Sequence, residues 1–217
     1  MTHTLHRFKE QGLKEDDFII LAMPARGINN DENTVQKLQK FLEIFHNNNA
    51  VNMGGMGTGI LVDTPYEKII ENVYFELPMV HGVFGNRENL ISALKDIKEA
   101  DMGISVIVSG LIDAVDKCVT EAGLNRHSVN YSLGIWGDKS KLPDESYLEI
   151  ATMCGHAMVS PSYIAKMVND IKQNRITIEK AAKKLSQPCV CGIFNPKKAE
   201  KVLRKIVGEE VVAESES

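Results

Sequence analysis

Asp17-Phe18-Ile19-Ile20-Leu21-Ala22-Met23 is the stretch on which the fold turns. An apolar run begins after three acids and stops before Pro24, with no polar residue alternating inside it. A strand half-exposed to water alternates. One that does not is covered on both faces, and such strands are characteristic of parallel sheets clothed by helices. Downstream, Asn33 to His46 carries Val35, Leu38, Phe41, Leu42 and Ile44 at helical spacing, and Pro78 to Phe84 predicts a second strand. Arg87 to Ala100 places Leu90, Ile91, Leu94 and Ile97 on one helical face, and Gly103 to Val108 predicts a third strand. Ile112 to Ala122 predicts a helix closed by Gly123, and Val129 to Trp136 a fourth strand. Strands alternating with helices predict βαβ crossovers. The expected fold is therefore α/β, with a mostly parallel sheet of about four strands over residues 1–140.

Beyond that point the pattern is helical. Pro143-Asp144-Glu145 opens one helix, Ser160-Pro161 a second, Thr177 a third and Asn195-Pro196 a fourth, each by proline at a first turn or an oxygen-bearing cap. Residues 141–207 are expected to form a helical segment packed on the sheet, either as a unit or as part of one integrated domain. Residues 208–217, rich in glutamate, are expected to be a disordered acidic tail.

The 217 residues are 43% hydrophobic and 25% charged, ordinary values for a globular chain. No apolar run reaches the roughly 20 residues that cross a bilayer. The N-terminus lacks the apolar core of a secretory signal, so the expectation is cytoplasmic and without a membrane. The net charge of −4 conceals an asymmetry. Residues 156–206 hold eleven basic and three acidic side chains. That helical stretch suits an acidic protein partner, or simply a solvated face docked on an acidic body. Aromatic residues do not interleave with its charges, which argues against nucleic acid.

In a reducing compartment, four cysteines point to metal binding or catalysis before disulfides. Cys118 falls among Ile112, Val115, Val119 and Ala122 on the apolar side of a helix and reads as core. The other three differ. Thr152-Met153-Cys154-Gly155-His156 and Pro188-Cys189-Val190-Cys191-Gly192 both lie at predicted helix ends, the second just before the Asn195 cap. A helix N-terminus stabilises thiolates, and Gly155 and Gly192 let backbone come close to a bulky group. Three readings stand. An iron–sulfur cluster, of the four-iron type, would use Cys154, Cys189 and Cys191, with one iron open or held by His156. A zinc ion would use all four residues, at spacings shorter than zinc knuckles favour. A redox site would cycle a disulfide within Cys189–Cys191 or Cys154–Cys189. Plain burial of reduced thiols is the remaining account.

Two further features bear on function. Met53-Gly54-Gly55-Met56-Gly57-Thr58-Gly59 is glycine-rich, and Gly54, Gly55, Gly57 and Gly59 are candidates to present N–H groups to a phosphate. No Gly-Lys-Ser/Thr follows, so it is no P-loop, and a flexible surface loop explains it equally. Ligands of parallel sheets bind beyond the strand ends, which nominates Arg26, His81, Arg87 and Ser109 as pocket residues for a small anionic molecule. The two arginines would clamp charge, while a histidine inside a strand is commonly a satisfied core group. The sequence thus predicts an iron–sulfur protein, acting on a small anion if it is an enzyme. The alternatives are a metal-independent enzyme holding a phosphorylated ligand at Gly54–Gly59 and a non-catalytic protein docking an acidic partner.

Overall fold

The computed structural model describes residues 16–134 and 136–208. The glutamate-rich tail from 209 onward and Ile135 of the expected fourth strand lie outside them. The strands are β1 (Phe18–Ala22), β2 (Asn52–Gly55), β3 (Gly59–Ile60), β4 (Val80–Phe84) and β5 (Val106–Ser109). The helices are α1 (Thr34–Asn47), α2 (Tyr66–Glu71), α3 (Arg87–Ala100), α4 (Ile112–Glu121), α5 (Glu145–Ala151), α6 (Pro161–Lys172), α7 (Ile178–Ser186) and α8 (Pro196–Val207).

The sheet runs β3-β2-β4-β1-β5 and every pairing in it is antiparallel. The expected mostly parallel sheet is therefore wrong, and so are its adjacent βαβ crossovers. Strand β1, helix α1 and strand β2 do form a β-α-β unit whose two strands point the same way, but β4 is inserted antiparallel between them. In the same way β4 and β5 flank β1. Two split β-α-β units interlock, and each fills the other's gap. A helical connection between two strands fixes their common direction, not their adjacency.

Two-sided burial also has another cause than the one expected. Side chains alternate along a strand. Phe18, Ile20 and Ala22 of β1, with Val80 and Phe84 of β4, enter one core with α1, α3 and α4. Ile19 and Val83, on the opposite face, enter a second core with the C-terminal helices. The sheet is the middle of three layers. The layer that makes β1 uniformly apolar is α5–α8, far along the sequence, and not a second set of crossover helices.

Two other expectations change. Val129 to Gly134 and Trp136 carry no strand, and Tyr131, Leu133 and Trp136 are exposed. The glycine-rich stretch, expected to be a loop, is the β2–β3 hairpin. It escaped a periodic reading because Asn52-Met53-Gly54-Gly55 holds a single large apolar side chain. The C-terminal helices begin where the sequence puts them. Oxygens of Ser160, Thr177 and Asn195 accept the N–H of Tyr163, Lys180 and Lys198 at 3.2, 3.3 and 3.0 Å. Among the described residues, no helix is long and apolar enough to cross a membrane.

Candidate cysteine centre

Cys118 lies in the first core, on α4. Cys154, Cys189 and Cys191 lie together in the second, all buried and all free thiols. Cys154 stands in the turn after α5, and Cys189 and Cys191 in the turn between α7 and α8. The sulfurs form a row. Cys154 and Cys189 share a hydrogen bond, Cys189 Sγ lies 3.9 Å from Cys191 Sγ, and Cys191 Sγ lies 3.8 Å from His156 Nδ1. His156 itself is on the exposed rim.

Backbone donors close on the two ends of the row. Cys154 accepts hydrogen bonds from the N–H groups of Met158 and His156, and Cys191 from that of Ile193. The turn 155–158 owes this curl to Ala157, held at φ 55°. The charges divide accordingly. The thiol of Cys189, donating to Cys154, draws that group down to about 6 against the opposing effect of burial. Cys191 is drawn down to about 7, first by Cys189 and then by Ile193 N–H and nearby His156. Cys189 moves the other way, because bonds to Cys154 and Cys191 and then burial hold its proton. The electrostatics thus favour thiolate at Cys154 and Cys191 and thiol at Cys189.

The loop bearing Cys189 and Cys191 is fastened to the sheet at successive rungs. Asn52 Nδ2 donates to Phe194 O at 2.9 Å. Two residues before Phe194, Gly192 lies against β2, where a β-carbon would stand 2.9 Å from the carbonyl carbon of Met53 and 3.0 Å from Gly54 N. Asn195 then caps α8 and donates its Nδ2 to Asp17 Oδ1 at 3.0 Å and Asp16 O at 3.1 Å. Behind it, buried Lys198 reaches Glu149 at 3.1 Å and Asp17 at 3.7 Å. Lys198 thus ties α5, which leads into Cys154, to α8, which follows Cys191. Asn52 and Lys198 gave no signal in the sequence. Asn195 read only as a cap, although its amide also clamps the start of β1.

The other predicted residues separate. Since β1 and β4 are antiparallel, Arg26 beyond β1 and Arg87 beyond β4 sit at opposite ends of the sheet, which rules out a shared anion clamp. Ser109, opposite Ile19, lies toward the Arg87 end. His81 is buried in mid-sheet, paired with Leu21 on one side and Gly54 on the other. Gly54, Gly55, Gly57 and Gly59 are each used by crowding in the hairpin: β-carbons there would run into Gly59 O, Met79 O, the Tyr74 ring and the Thr64 side chain. Gly55 N–H is bonded to Thr58 Oγ1 at 2.7 Å, and Thr58 N–H to Gly55 O at 3.2 Å.

Pairwise, the 3.9 and 3.8 Å contacts have the length of a tetrahedral edge around one ion, about 3.8 Å for metal–sulfur bonds near 2.3 Å. As a set, no three His, Cys, Asp or Glu side chains among the described residues converge on a single point as one ion requires. A cluster takes each thiolate on its own iron and asks for a lined cavity instead, with N–H donors to sulfur and an apolar surround. Backbone N–H donors and apolar neighbours, among them Ile150, Met153, Val159 and Phe194 of the same core, are present at the thiols. The sulfur row would have to open to admit a cluster. Comparison with protein-family models, curated proteins and solved structures finds no match for this chain.

Proposed function

We propose that this protein is an iron–sulfur protein, with Cys154, Cys189 and Cys191 as the cluster ligands. The observation that carries the reading is the meeting of these three thiols in one buried, hydrogen-bonded row while Cys118 stays in the other core. When bound, such a cluster supplies electron transfer or, at an iron without a protein ligand, a Lewis-acid position for a small anion. Cys189 would have to release its proton to act as a ligand. The chain's own contribution is twofold. The N–H groups of His156, Met158 and Ile193 stay on sulfur and balance its negative charge. The loop's fastening to Asn52 and Gly54 holds two ligands against a rigid sheet. His156, exposed at the end of the row, covers the side facing solvent. A reducing compartment suits such a centre.

One observation favours a second reading. The pairwise spacings of Cys189 to Cys191 and of Cys191 to His156 have the length of tetrahedral edges, and a zinc ion would need these side chains and Cys154 to move together onto one point. The two readings separate in one experiment on the full chain, purified anaerobically and assayed for iron, acid-labile sulfide and zinc, with Cys189→Ala and Cys118→Ala alongside. Iron and sulfide in matching amounts, lost in Cys189→Ala and kept in Cys118→Ala, is the expected result. Stoichiometric zinc with no sulfide replaces it by the zinc reading. Neither metal, even after reconstitution, overturns both.

A further inference from the structure

The two edges of the sheet are built differently. An unpaired edge strand invites pairing with another chain, and proteins blunt such edges by shortness, charge or proline. At one edge, β3 is two residues long. At the other, β5 is twice that length, and among the described residues it pairs as a strand with β1 alone. Residues 103–110, Gly-Ile-Ser-Val-Ile-Val-Ser-Gly, contain neither a charge nor a proline.

The helical layers also leave this edge partly bare. Val106 and Val108 pack against the first core. Ile107 alternates to the opposite face, the side of α5–α8, and is 45% exposed there. On the first-core side, α4 packs beside β5. Past the end of α4, Arg126 Nη1 donates to both carboxylate oxygens of Asp116 at 2.6 Å, which pins the chain back onto that helix. Residue 131 is then within about 18 Å of Arg126 however the chain runs. Tyr131, Leu133 and Trp136 follow at 63%, 82% and 81% exposed.

Three observations point to a second copy of this chain as the occupant. Edge strands that meet across a two-fold axis normal to the sheet are antiparallel, as every pairing in this sheet is. The edge carries no charge to repel an identical edge, and offers none to a charged partner. Ile107, Tyr131, Leu133 and Trp136 leave roughly 500 Å² open per chain, about 1,000 Å² over two copies, which is where weak specific interfaces begin.

We propose that this protein self-associates through β5. The β5 strands of two copies pair antiparallel about a two-fold axis near Ile107 and join two five-stranded sheets into one. Tyr131, Leu133 and Trp136 of each copy close over the joint. The cysteine loop is fastened to β2, with β4 and β1 between it and β5, so the association is independent of what the thiols bind.

The test uses the full chain, reduced and metal-free, in sedimentation equilibrium across micromolar concentrations. Wild type should pass from the chain mass to twice that mass. Ile107→Lys should weaken association by at least about tenfold, by setting two like charges together at the axis. Trp136→Ser, outside every described helix and strand, should weaken it several-fold. Phe75→Lys should leave it unchanged: Phe75 is as exposed as Ile107 but lies beside the β2–β3 hairpin, to which Tyr74 is bonded. Amide exchange in β5 should quicken on dilution while that of β2 stays constant. A chain that is monomeric throughout overturns the proposal, whether or not its own residues cover β5. So does a dimer that Ile107→Lys leaves intact, one that Phe75→Lys weakens equally, or one whose β5 amides exchange at a rate independent of concentration. Should Ile107→Lys lose its far-ultraviolet dichroism, Trp136→Ser decides, and unchanged association in that variant overturns the proposal.

Discussion

Gly192 rests on the backbone of Gly54: a β-carbon on Gly192 would lie 3.0 Å from Gly54 N, at a position whose φ is 77°. The contact puts a residue next to Cys191 directly on strand β2, so the cysteine loop is shaped by the sheet beneath it. Two separate penalties follow for any side chain there, left-handed strain and overpacking against backbone that cannot move aside. Gly192→Ala should cost roughly 2 to 4 kcal/mol in urea unfolding. Gly27 has the same φ of 77° and nothing within 4 Å. Gly27→Ala should therefore cost about 1 to 2 kcal/mol, the strain alone. Equal losses for the two variants would show that the contact contributes nothing.

Cys118 and Cys189 are both buried thiols, yet they should respond differently to the same change. Cys118 packs among aliphatic residues of α3 and α4, and Cys118→Ala removes one atom from that core at a cost on the order of 1 kcal/mol. Cys189 sits between two other sulfurs and holds their shared proton. Cys189→Ala should abolish iron and sulfide retention and Cys118→Ala should not, while both metal-free variants keep the native fold. Far-ultraviolet dichroism and urea midpoints of the two variants check the second half of that statement.

The sequence was informative wherever the information is local. Capping oxygens at Ser160, Thr177 and Asn195, and the apolar face of α6, act within one turn of chain, and each is found as expected. The division of cysteines into one core thiol and three clustered ones was also legible, because Cys118 follows helical spacing and the others follow helix ends. What failed was non-local. Whether β1 pairs with β4 or with a parallel neighbour depends on which strand fills the gap in a split unit, and no single strand carries that signal. The uniform apolarity of β1 was read correctly as two-sided burial and wrongly as parallel pairing, since the helices α5–α8, far along the chain, supply the second cover. Asn52 and Lys198 were invisible for the same reason: each acts through a partner remote in sequence, Phe194 and Glu149 respectively.

Lys198 is buried against two carboxylates, 3.1 Å from Glu149 and 3.7 Å from Asp17. Removing the cation alone leaves two acids buried without it, and breaking a buried ion pair from one side is typically worth roughly 3 to 5 kcal/mol. Lys198→Met should fall in that range by urea unfolding. Adding Glu149→Leu to the same chain should recover a substantial part, because the larger cost lies in the stranded charge and not in the lost attraction. A double variant no more stable than Lys198→Met would mean that the pair acts by packing alone.

The cysteine row gives the metal-free chain a pH signature of its own. Cys154 and Cys191 are drawn from the ordinary 9.0 down to about 6 and about 7 in the folded state, so between those values and 9.0 the unfolded chain binds more protons at these two thiols. Stability then rises with pH across that window. The contribution is complete above about 9 and is lost as pH falls through 7 and then 6. Cys189 is shifted upward, so above about 9 the folded chain holds the extra proton and stability declines again. Urea midpoints of reduced, metal-free protein, taken as the difference between wild type and Cys154→Ala/Cys191→Ala, isolate this from other titrating groups. The difference should grow from pH 6 to 9. A flat difference, or one that shrinks over that range, would show that backbone donors and the Cys189 thiol do not hold these sulfurs as thiolates.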